Sequence, residues 1–146
     1  MAKYFYISIG GAAGALLRHF IEGVPLWGNG GIFPFNTLLI NVTGSFLLAV
    51  FLTIAFEVMA LNPDIRLGIS TGFLGAFTTF SALCKESVML MESGRPSLSV
   101  MYMASSLLLG FTAAYLGILL ARRLAYKSLT SPQKDRLDYG DEEESH

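Results

Sequence analysis

The chain has 146 residues, 53% of them hydrophobic and 14% charged, with a formal net charge of -1. A mean hydropathy of +0.54 excludes an ordinary soluble domain of this size, and the single cysteine, Cys84, excludes an intramolecular disulfide. A hydrocarbon core takes about 20 apolar residues per helical span, and four such stretches use up most of the chain, so one all-α domain of four membrane helices is expected over residues 1–124.

The first stretch runs from Tyr4 to Val24. It starts like a signal peptide, but Arg18 and His19 interrupt it and no small-residue cleavage site follows. It is read as a retained first helix. Gly10 and Gly14 form a GxxxG, the spacing that lets two helices approach closely. Arg18 lies about one turn from the far end, where it either snorkels or faces a vestibule; His19 reads as an interfacial polar residue. The loop VPLWGNGGIFP follows, with Trp27 suited to the membrane–water boundary.

The second stretch, Pro34 to Ala60, carries Thr37, Asn41 and Ser45 at steps of four, on one helix face. They serve either as interhelical hydrogen bonders or as donors to an ion. The third, Ile65 to Met91, is the least regular. Gly72 and Gly75 weaken a helix there, and Thr78 and Thr79 compete for its backbone bonds. A helix broken at mid-membrane exposes carbonyls suited to a cation and N–H groups suited to an anion. Phe77 and Phe80 add electropositive ring edges. Lys85 and Glu86 follow, and Cys84 reads as a buried structural thiol. The fourth stretch, Leu98 to Leu120, offers Tyr102, Ser105, Ser106 and Thr112, a column of hydroxyls or a set bonded back to their own helix. Residues 125–146 form a charged tail, expected to be disordered and cytoplasmic.

With the N-terminus on side A, that side carries Lys3, Arg66, Arg122, Arg123 and Lys127, against Arg95 alone on side B. The bias puts both termini in the cytoplasm, in a cell-membrane protein. Neither an enzyme nor a nucleic-acid binder is indicated. There is no metal-ligand spacing, phosphate loop or nucleophile–base pair, and the basic residues hug the membrane edge. The residues by themselves lead to an ion-handling membrane bundle.

Together the motifs resemble those of the CrcB/Fluc fluoride channels. The likeness rests on GxxGAxxR (Gly11 to Arg18), NTLLINVTGSFLLA in the second stretch, GFLGAFTTFSALCKE in the third and the Tyr102–Ser106 region, and extends to about Arg123. It implies an antiparallel dimer with two narrow pores and passive export of fluoride, which lowers fluoride toxicity. It implies a fluoride pathway of Asn41, Phe80, Ser81, Tyr102, Ser106, Thr112 and Glu86, with Arg18 at the vestibule. It further implies a structural sodium ion on the dimer axis, held by the backbone carbonyls of Gly75 and Thr78.

The sequence departs from the family's TTFSTF: Ala82 replaces the threonine and Leu83 the second phenylalanine, and Lys85 is unexpected beside the glutamate. An antiparallel homodimer needs weak topological bias, and this chain has a strong one. The expectation is therefore a heterodimer with a homologue of opposite bias, with one pore weakened by Leu83. The alternatives are a proton-coupled small transporter of dual topology, which would need an isolated mid-span carboxylate, and a non-conducting partner subunit.

Overall fold

In a computed structural model, the backbone is described for residues 2–24, 32–57 and 61–143, and the side chains up to Tyr126. The described residues are all helical apart from short turns. Helix α1 is Ala2–Gly23 and α2 is Phe35–Glu57. The third stretch is a string of pieces: α3 Pro63–Leu67, a π-helical segment Gly68–Leu74, α4 Gly75–Phe77 and α5 Phe80–Glu92. Helix α6 is Pro96–Glu143. By length and composition, three segments can cross a membrane: Phe35–Glu57, Pro63–Glu92 and Pro96–Tyr126. This is a multi-pass membrane architecture. The Trp27 loop lies outside the described residues, as do the side chains of most of the expected tail.

Local chemistry sets the boundaries. Asn62 caps α3 by accepting from the Asp64 N–H at 2.9 Å, and Pro63 takes the first helical position, where a missing N–H costs nothing. Thr79 caps α5 by accepting from the Ala82 N–H at 3.2 Å. Gly94 ends the α5–α6 turn in the left-handed region, φ 72°, which favours glycine, and Pro96 then opens α6.

Packing divides the bundle into two pairs. The front half of the third stretch lies against α1, whereas α2 lies along α6. The α1 contact is backbone on backbone. A Cβ on Gly14 would sit 2.1 Å from the Phe73 carbonyl oxygen, and one on Gly10 2.2 Å from that of Gly68. The GxxxG thus does what its spacing predicts, and its partner is the π-helical segment. After Phe77 the chain changes neighbours, and α5 packs on α6. The break is the hinge between the two pairs.

The interior is small. Among the described residues, Ile40, Ser99 and Tyr102 are the largest fully buried side chains, while Phe20, Phe80, Phe111 and Tyr115 stand exposed. Such an apolar exterior suits lipid or another subunit rather than water.

Candidate functional site

The site grows from the break. Thr78 and Thr79 are extended (φ −76°, ψ 151° and φ −142°, ψ 114°), so the helical ladder stops between α4 and α5. Sequence reasoning spread the irregularity over Gly72, Gly75, Thr78 and Thr79. The structure keeps Gly75 helical (φ −65°, ψ −36°) and confines the break to Thr78 and Thr79. The reason is that a side chain from α2 replaces the missing ladder. The Asn41 Oδ1 accepts from the Thr79 N–H at 2.8 Å, and its Nδ2 donates to the Thr79 carbonyl at 3.0 Å. One amide thus stands in for a neighbouring peptide and satisfies both backbone groups of a half-buried turn.

This substitution frees two carbonyls. In an unbroken helix the Thr79 N–H would bond to the Gly75 carbonyl, and the Ala82 N–H to that of Thr78. Asn41 and the Thr79 hydroxyl have taken those donors. The Gly75 carbonyl keeps only a long contact, 3.5 Å, from the Thr78 hydroxyl. The two carbonyls expected to face a cation are therefore the two whose helical donors are diverted. Hard oxygen ligands of this kind fit a small hard cation.

A hollow opens beside the break, lined by Asn41, Ser45, Thr78, Thr79 and Phe80. Phe80 stands on its edge, 76% exposed. Ser81 is exposed, with its hydroxyl 3.2 Å from that of Thr79. A second hollow shares Ser45 and continues along α6 past Ser106 and Phe111. The Ser106 hydroxyl is buried there without a hydrogen-bond partner among the described residues.

On the side-B flank of the break, three helices meet at one carboxylate. The Thr37 hydroxyl donates to Glu86 Oε1 at 2.7 Å, and the Tyr102 hydroxyl donates to Oε2 at 2.6 Å. Tyr102 is fully buried, and the Phe33 ring meets it edge-on at 5.4 Å. Both oxygens of one side chain are thus engaged by hydroxyls from two other helices. A further hollow lies over Glu86, with Arg95 at its rim.

Of the expected site residues, Asn41, Glu86 and Tyr102 are joined into these two clusters, with Phe80, Ser81 and Ser106 beside them. Thr112 is not: it is exposed and bonded back to the Leu108 carbonyl at 2.8 Å. Arg18 is half-buried, with one guanidinium nitrogen 3.9 Å from Glu22 and its Nε buried without a partner among the described residues. Ser45 is bonded back to the Asn41 carbonyl at 2.8 Å. Cys84, expected to be buried, is exposed on this subunit. Sequence reasoning set Thr37 on the right face without seeing its role. The signal was its spacing of four from Asn41, but nothing in the sequence says that Glu86 lies opposite. Also unforeseen is the bidentate pair of Arg122 with Glu57, 2.9 Å at its shortest, where the C-terminal end of α2 lies beside α6.

Comparison with known proteins agrees with this architecture. Residues 5–118 match the family described as CrcB-like protein, Camphor Resistance (CrcB). The fluoride-specific ion channel FluC of Acidobacterium capsulatum is 42% identical over 123 residues, covering 84% of this chain and 98% of that protein. The fluoride-specific ion channel FluC 2 of Bacillus subtilis is 44% identical over 125 residues, covering 86% and 92%. The fluoride-specific ion channel FluC 1 of Moorella thermoacetica is 38% identical over 131 residues, covering 88% and 92%. With a family match over residues 5–118 and relatives aligned over most of both chains, the chain belongs to the CrcB family.

Proposed function

We propose that this protein is a subunit of a fluoride-selective channel that lets fluoride leave the cytoplasm passively. The observation that carries the reading is the break braced by Asn41, with a clamped Glu86 on one flank and an unpartnered Ser106 hydroxyl on the other. Amide, hydroxyl and ring-edge groups bind a small anion without the deep trap a bare cation would make. Asn41 keeps one amide hydrogen beyond its bond to Thr79, and Phe80 offers its ring on the same hollow. Ser81, Tyr102, Glu86, Ser106 and Thr112 extend the path, and Arg18 raises anion concentration at a vestibule. The names of the relatives support the ion.

In this reading α1 is the fourth span and both termini are cytoplasmic. The working unit is an antiparallel dimer in lipid. Its axis passes the break, where the Gly75 and Thr78 carbonyls of two subunits hold a structural sodium ion. The strong charge bias favours a homologue as the second subunit, and the numbered names FluC 1 and FluC 2 among relatives are compatible with that. Leu83 supports a second reading, in which this chain completes a dimer whose conducting pore is lined chiefly by its partner.

The deciding experiment is fluoride efflux from liposomes holding this chain alone, or together with its homologue from the same genome. Flux only with both supports the heterodimer. Flux from this chain alone discards it and keeps the channel. No flux from folded protein in either case overturns the fluoride reading.

A further inference from the structure

Helix α5 carries two adjacent charges that the fold treats in opposite ways. Glu86 is half-buried, and both its oxygens accept hydrogen bonds. Lys85 is exposed on this subunit, and among the described residues no carboxylate lies within ion-pair distance of it. The helix buries Ser87 and Leu90. The opposite face carries Ser81, Lys85, Val88 and Glu92, at spacings that stack them along one line. That face is mostly polar, yet it lies within the segment Pro63–Glu92, which is long and apolar enough to span a membrane. Polar side chains in such a segment meet protein or water, not acyl chains.

Lys85 lies well inside α5, about 10 Å along the axis from its last residue, Glu92. Helical side chains lean toward their helix N-terminus, and the N-terminus of α5 is the break. The Cα–Cβ bond of Lys85 therefore starts toward the turn that holds Ser81. Its Cα lies about 7–8 Å along the axis from that of Phe80, at about 1.5 Å per residue. Donors accumulate here: the ammonium, the Ser81 hydroxyl, and the positive end of α5. Glu86 is already engaged, and Glu92 is two turns away on the far side of Lys85. Arg95 lies past the other, C-terminal end of α5, beside the hollow over Glu86.

We propose that Lys85 is an anion-recruiting residue, whose charge draws fluoride into the side-B half of the path and sets the rate at which it enters that half. This rests on the fluoride-channel reading and adds to it a charge specific to this chain. Lys85 acts at a distance through water, so it speeds entry without binding the ion in the narrow part of the path. Its influence must then depend on ionic strength, because the screening length falls from about 30 Å at 0.01 M salt to about 3 Å at 1 M.

The test is initial fluoride efflux from liposomes holding whichever assembly conducts, with Lys85→Met and Lys85→Arg compared with the unaltered chain at low and high concentrations of an impermeant salt. Methionine keeps the length and suits a membrane helix; arginine keeps the charge. Lys85→Met is expected to slow efflux on the order of tenfold at low salt, with the deficit shrinking as salt rises. Lys85→Arg is expected to keep the rate. Cross-linked dimer yield, measured on the same samples, is expected to be equal for all three. An unchanged rate in Lys85→Met overturns the proposal, as does a loss that ignores salt. A loss that tracks missing dimers also overturns it and assigns Lys85 to a carboxylate of the second subunit. Absence of flux from the unaltered protein overturns the fluoride reading together with this one.

Discussion

The Asn41 side-chain amide closes two hydrogen bonds on the backbone of Thr79, at 2.8 and 3.0 Å, and so fastens α2 to the break between α4 and α5. A break inside a membrane segment needs such a partner, because lipid offers none. The same amide is the chief candidate to meet fluoride, so structure and conduction depend on one residue.

Replacing Asn41 with alanine leaves both backbone groups of Thr79 unpaired, at about 1–3 kcal/mol for each buried group. Asn41→Asp keeps the acceptor and loses the donor. The expected order of thermal stability in detergent is unaltered, then Asp, then Ala. Fluoride efflux should fall in both variants. An Ala variant as stable as the original would mean that the break is braced elsewhere.

Glu86 joins α2, α5 and α6 through Thr37 and Tyr102. A hydrogen bond to a charged group contributes about 1.5–3 kcal/mol, so Tyr102→Phe should destabilise by that order while keeping the ring that packs on Phe33. Thr37→Val should do the same from the α2 side. The double variant should lose less than the sum, since both bonds end on one carboxylate. Thermal melting of the four proteins checks the cycle.

Gly14→Ala sets a methyl 2.1 Å from the Phe73 carbonyl oxygen, a backbone atom that no rotamer change can move. Helix α1 and the π-helical segment must separate. The expected result is a large loss of monodisperse protein in detergent. Gly23→Ala, where a Cβ would meet nothing within 4 Å, serves as the tolerated control.

Leu83 stands where the family's second phenylalanine is expected, and it is half-buried on α5. If this subunit's pore is weakened by the missing ring edge, Leu83→Phe should raise fluoride efflux from the conducting assembly. Efflux that stays the same or falls, at equal protein incorporation, would show that the pore this residue lines does not limit conduction.

The sequence by itself determined the membrane class and the approximate bounds of three membrane-length segments. These are properties of composition and local period. Twenty-odd apolar residues between turn formers admit few structures in lipid, Gly10 and Gly14 allow a close approach wherever they land, and Thr37 and Asn41 share a face by helical geometry. Tertiary structure decided which groups meet. No local rule says that α1 docks on the π-helical segment, that Thr37 and Tyr102 grip Glu86 from different helices, or that Cys84 faces outward. The break shows the division most clearly. The glycines and threonines indicated an irregular helix, but helix propensity is too weak to fix its position. The break lies at Thr78 and Thr79 because an amide 38 residues earlier satisfies the backbone there, a pairing that exists only once α2 lies alongside.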